Sequence, residues 1–185
     1  MRRIAIAGVT ASLLTMVQLG PAAETPAAPQ PTKEHQLLAQ FAGQWKSRAE
    51  TMPAPGQVPI VCEGTETARM LGGYWLVAEG QGDMLGQPVT SLLTIGYDPA
   101  KQKYVGTFIC SVAADLWQYE GAMDPSGKKL TLHAEGPSML DPTKPAKYRE
   151  VLELKDADHK TFTSFMETDE GKWQPIVTVT YERVK

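Results

Sequence analysis

The side chains that could do chemistry in this chain are few, and they do not cluster along it. Cys62 and Cys110 are its two cysteines, and without a C-x-x-C spacing they do not make a redox-active dithiol. They leave two readings: a disulfide across the fold, or two buried free thiols acting as small apolar residues. His35, His133 and His159 form neither H-x-x-x-H nor H-E-x-x-H, so no metal or haem site is indicated and no cofactor is expected. Ser111 lies in no G-x-S-x-G motif and has no base beside it. Gly80-Gln81-Gly82 is too short to cradle a phosphate and does not lead into a helix. No catalytic residue is named on these grounds.

Glu150 is different. It shares its alternation with Tyr148, Leu152 and Leu154, the face expected inside, while Arg149, Glu153 and Lys155 face away. A carboxylate on an inner face must be paired, or its pKa must rise. It can serve as a polar anchor or an acid within a lumen. It can also be half of an ion pair with an inward Arg such as Arg69, or the register can be misjudged. Trp75, Phe108, Trp117, Tyr119 and Tyr148 are the aromatics that would line a ligand cavity together with Glu150, or fill the core in its place. Gly64, Ala68 and Gly106 inside strands would leave room beside them.

The elements that must position these residues are almost all strands. Lys33 to Ala42 reads as one short helix, capped by Thr32, apolar along Leu37, Leu38 and Phe41, and stopped by Gly43. After it come runs at Trp45–Glu50, Ile60–Met70, Tyr74–Gln81, Val89–Tyr97, Tyr104–Ser111, Leu116–Met123, Lys129–Glu135, Lys147–Lys155, Thr161–Glu167 and Trp173–Arg183. Turn residues separate them, as in Gly72-Gly73, Asp98-Pro99 and Asp124-Pro125-Ser126-Gly127. With no crossover helix, neighbours should be antiparallel throughout. Ten such strands must stack as two sheets or close on themselves. Closure removes the edges that aggregate, so an all-β, up-and-down antiparallel barrel is expected ahead of a sandwich. In such a barrel Cys62 and Cys110 fall at the same end.

The 185 residues suit one domain plus a targeting segment. A hydrophobic share of 42% and a charged share of 21% are those of a globular chain rather than a disordered one. Net charge is −3 with no basic cluster, which speaks against a nucleic-acid surface. Met1-Arg2-Arg3, an uncharged Ile4 to Leu19 and the small residues after it read as a secretory signal over residues 1–22. The alternative is a membrane anchor, for which the run is short and diluted by polar residues. Residues 23–31 form an Ala/Pro-rich tether, and residues 32–185 the barrel domain. The expected location is periplasmic or extracellular, with no membrane contact once the signal is removed.

Gly43-Gln44-Trp45, directly after a helix and opening the first strand, resembles the G-x-W signature of calycins, the lipocalin-like barrels. That resemblance implies that Arg183, late in the last strand, packs across Trp45, a cation–π contact worth about 0.5–2 kcal/mol. A longer ordered set is similar to the bacterial domain of unknown function 1579 family. It comprises Glu34-His35-Gln36-Leu37, Gly43-Gln44-Trp45, Glu63-Gly64, Leu71-Gly72-Gly73-Tyr74-Trp75-Leu76, Ile95-Gly96-Tyr97-Asp98, Lys103-Tyr104-Val105-Gly106, Tyr119-Glu120-Gly121 and Tyr181-Glu182-Arg183. The resemblance implies a barrel-like module, often exported, with no established activity or cofactor. Cys110 stands where that family commonly carries Asp. The function expected is binding of a small, partly apolar molecule. The alternatives are an interaction module with a filled barrel, and a hydrolase or isomerase using Glu150.

Overall fold

The computed structural model describes residues 30–52 and 58–185. The signal expected over residues 1–22 and residues 23–29 of the tether lie outside the described residues. The helix is shorter than expected: α1 (Lys33–Leu38) is followed by a 3-10 turn over Ala39–Phe41. The tightened turn brings the Phe41 carbonyl to the Trp45 indole N–H, which donates to it at 3.2 Å. His35 completes the cap expected of Thr32. Its Nδ1 accepts from the Thr32 backbone N–H at 3.1 Å, and its Nε2 reaches the Tyr97 carbonyl at 3.1 Å.

Ten strands follow: β1 (Gly43–Thr51), β2 (Val61–Leu71), β3 (Trp75–Met84), β4 (Gln87–Asp98), β5 (Lys103–Cys110), β6 (Ala113–Met123), β7 (Lys129–Pro137), β8 (Pro145–Leu154), β9 (His159–Glu167) and β10 (Trp173–Arg183). Each pairs antiparallel with the next, and β1 pairs with β10, so the sheet closes into the expected up-and-down barrel. The third and fourth strands run further than their apolar alternation suggests. They meet in a two-residue turn in which Leu85 (φ 56°) and Gly86 (φ 85°) both take positive φ. The Asp83 carboxylate accepts from the Gly86 N–H at 2.7 Å, which supports the turn. On β10 the register shifts between Pro175 and Val177, where proline has no N–H for the ladder.

Alternation decides what fills the tube. Leu76, Ile95, Leu130, Leu132 and Trp45 are almost wholly buried on the inner face. Leu38 and Phe41 close one end from the helical segment, and both are wholly buried. Trp45 and Arg183 are register partners, and the guanidinium lies 4.0 Å from the indole centroid, as the resemblance implied. Arg183 also donates to the Ala42 and Ala157 carbonyls, both at 2.8 Å. Gly43 (φ 141°) is required here, because a Cβ would fall on the guanidinium.

Arg183→Ala removes both the stacked cation and its carbonyl bonds, and should cost about 2–3 kcal/mol. Arg183→Lys should recover less than half of that, since an ammonium cannot stack and fork at once. Urea unfolding midpoints measure both, and an unchanged midpoint for Arg183→Ala would show that the plug carries no stability.

Candidate functional site

Four of the five aromatics expected around a cavity do face inward. Phe108, Trp117 and Tyr119 come from the adjacent strands β5 and β6, and Tyr148 from β8. Trp117 and Tyr148 meet edge to face at 4.7 Å. Tyr148 is anchored by donating to the Pro137 carbonyl at 2.6 Å. The fifth is a correction: Trp75 stands on the outer face, 40% exposed, because Leu76 and Ala78 take the inner positions of β3. Its ring lies against Gly96, where a side chain would collide with it.

Glu150 does point inside, and only 4% of it is exposed. Ser164, its register partner on β9, donates to Oε1 at 3.0 Å. Oε2 is buried with no hydrogen-bond partner. Burial pushes the carboxyl up to about 8, against a smaller lowering by the Ser164 hydroxyl. The pairing with Arg69 is corrected: Arg69 faces out and lies 3.8 Å from Glu79. Tyr119 and Tyr148 belong to the same neighbourhood. Burial raises both phenols, and the Glu150 charge adds to each rise.

Cys62 and Cys110 stand at the same end of the barrel as free thiols. β3 and β4 lie between their strands, and the register partners are Met84 for Cys62 and Ser91 for Cys110, so no bridge joins them. His133 and His159 are exposed, the latter held by Asp156 at 2.9 Å. Among the described residues no group of His, Cys, Asp and Glu is placed to hold a metal ion.

A second polar cluster was missed by the sequence reading. Lys160, 3% exposed, contacts the Glu66 carboxylate at 2.5 Å and lies 4.4 Å from the Trp45 ring centroid and 4.6 Å from that of Tyr181. Burial lowers the Lys160 pKa, and Glu66 opposes that shift. The signal was available: Lys160 shares the alternation of Phe162, Ser164 and Met166, and Glu66 that of Gly64, Ala68 and Met70. This acid is paired and sits beneath the plug. Glu150 is not paired, which makes it the chemically available group of the lumen.

Two outcomes follow from these pairings. Glu150 has a folded pKa above its unfolded value, so from about pH 4.5 to 8 the folded state holds the extra proton and stability falls as pH rises. Glu150→Gln should remove that fall, so its advantage in unfolding free energy should grow by about 1.4 kcal/mol per pH unit across the window. A constant difference would place the titration elsewhere. Lys160→Met should cost about 3–5 kcal/mol by stranding the Glu66 charge, and adding Glu66→Gln should recover most of it. Thermal and urea melts of the two variants test this.

Comparison with known proteins adds the fold's relatives. The crystal structure of Rv2717c from M. tuberculosis is similar with a TM-score of 0.59 at 13% identity, covering 84% of this chain and 100% of that one. The S-type phycobiliprotein lyase CPES from Guillardia theta is similar with a TM-score of 0.52 at 15% identity, covering 85% of this chain and 99% of that one. At such identities the likeness is one of fold. No curated protein matches the chain. The family described as "Protein of unknown function (DUF1579)" matches residues 30–183, nearly all of the sequence beyond the apolar start, and the chain belongs to that family.

Proposed function

We propose that this is an exported binding barrel that holds a small, flat, partly apolar molecule in its lumen, with Glu150 as the polar anchor. The observation that carries this reading is the buried Glu150 Oε2, which has no partner of its own. An orphaned buried oxygen costs about 1–3 kcal/mol, a cost that a ligand group in hydrogen-bond reach removes. With its pKa near 8, the carboxyl is largely protonated at neutral pH and offers an O–H donor. It therefore suits a neutral acceptor such as a carbonyl oxygen. Phe108, Trp117, Tyr119 and Tyr148 supply the apolar walls.

Room is provided on the opposite side. Ser47, Ala49, Gly64, Gly80, Gly82 and Ser91 take inner positions away from the plugged end, and each is partly exposed although it faces inward. Export rests on the charged start, the uncharged stretch and the small residues after it. The likeness to a phycobiliprotein lyase supports the reading only as far as a shared barrel shape.

Prodan, a flat neutral naphthyl ketone with environment-sensitive emission, is the probe of choice. Native protein should shift its emission to the blue on binding, and Glu150→Leu should weaken binding about five- to tenfold, the worth of one hydrogen bond. The native affinity should fall as pH rises through about 8, whereas Glu150→Gln, still a donor, should bind without that fall. Emission that stays aqueous with native protein, or equal binding by Glu150→Leu, sinks the proposal.

A further inference from the structure

We infer that the seam between β6 and β7 is a side entrance to the lumen, through which a flat neutral molecule passes between Tyr119 and Tyr148 to reach Glu150. The inference rests on the lumen-binding reading and adds the route.

The seam is the weakest join in the wall. β6 spans Ala113–Met123 and β7 spans Lys129–Pro137, yet they pair only through residues 120–123 against 130–133. That is the shortest ladder in the barrel among the described residues. Residues 113–119 and 134–137 run past one another beyond it. Each ladder bond contributes about 1 kcal/mol net, so a stretch without them opens at lower cost than its neighbours.

A cleft of about 750 Å³ lies on the outer wall at this place. Its lining mixes the two faces of the sheet: Gln118, His133 and Glu135 point outward, whereas Tyr119, Ala134 and Tyr148 point inward. Successive residues alternate across the sheet, so the outward residues of these strands make most of the lining. The cleft thus comes up against the inner-face residues Tyr119, Ala134 and Tyr148 beside the stretch that has no β6–β7 ladder, although both tyrosines are buried. Extending the register from Glu120 and His133 sets Tyr119 opposite Ala134 and Trp117 opposite Gly136. The small residues are all on β7, and the Trp117 ring occupies the space where a Gly136 side chain would stand. The Trp117 ring, not main-chain bonds, fills this part of the seam, and a ring can turn aside.

Both ends of the route are marked. Tyr148 shares the inner face of β8 with Glu150 two residues on, and Tyr119 reaches the same level opposite Ala134, the register partner of Tyr148. Outside, Trp75 and Trp173 border the same cleft and offer indole surface to a flat apolar molecule before it passes. The outward position of Trp75 thereby gains a role that core packing does not supply.

The test staples the seam. Gln118→Cys with Glu135→Cys, in a Cys62→Ser/Cys110→Ser background, places two thiols on facing outward positions. Stopped-flow binding of prodan is then followed with the pair oxidised and reduced. Oxidation should slow association at least about tenfold, and reductant should restore it, with the bound emission maximum unchanged. Equal rates with binding retained would show that the molecule enters through the open end, and would overturn the side entrance alone. No binding in either state overturns the lumen reading and the entrance with it. Hydrogen exchange on the unaltered protein gives an independent answer if the staple does not form. The backbone amides of residues 113–119 and 134–136 that point into the seam, rather than to β5 or β8, should exchange faster than those bonded between residues 120–123 and 130–133, and should slow when prodan is bound. Exchange as slow as in the ladder, or unaffected by bound prodan, overturns the proposal.

Discussion

The contact between Trp45 and Arg183 joins the first strand to the last, so the residues that plug the tube also hold the seam that makes it a tube. A sheet with free borders would expose two rows of unpaired main-chain groups, and closing it removes both. The indole is large enough to fill the narrowing end, and its π-face accepts cations that would otherwise need water. Arg183 and Lys160 both use it, at 4.0 and 4.4 Å. Gly43 belongs to the same arrangement, because the backbone must turn there without a side chain to let the guanidinium in. The helical segment adds Leu38 and Phe41 as a lid, and the Phe41 carbonyl receives both the indole N–H and the Lys160 ammonium.

Two acids face the lumen from different levels, and the contrast between them defines the chemistry. Glu66 has a lysine within 2.5 Å, so its charge is answered inside the barrel and its role ends in stability. Glu150 has only a serine hydroxyl on one oxygen and nothing on the other. With no cation to answer it, burial decides its state and keeps it protonated well above the usual carboxylate range. A protein gains no stability from such a group, and an apolar residue would pack there at lower cost. In the binding role proposed above, a ligand group would supply the missing partner.

The distribution of small residues explains why the interior is not uniformly filled. Large side chains crowd the plugged end and the β7–β9 wall, where Leu132, Tyr148, Leu152 and Met166 are buried. Ser47, Ala49, Gly64, Gly80, Gly82 and Ser91 are inner positions of β1 to β4 toward the other end. Gly106, Gly121 and Gly136 leave inner positions without side chains on β5 and on the two strands that border the seam, β6 and β7. At Gly106 and Gly121 the backbone of the adjacent strand comes so close that a Cβ would strike a carbonyl oxygen.

Much of this was legible from residue order. Period-two alternation placed the strands, turn residues placed most of the reversals, and the surplus of edges argued for closure, because these depend on local chemistry that every segment carries by itself. The inward direction of Glu150 was legible for the same reason: it keeps step with Tyr148, Leu152 and Leu154. What could not be read was anything that depends on which strands lie face to face across the tube. Trp75 reads as a lining residue until the phase of β3 is fixed by Leu76 and Ala78. Arg69 reads as a partner for Glu150 until the register turns it outward to Glu79. The pairing of Glu66 with Lys160 joins residues 94 positions apart, and no periodicity brings them together. Sequence alone determined a closed sheet with an acid inside it; the tertiary structure decided that the acid lacks a partner, since partnership in a barrel is set by register around the ring and not by order along the chain.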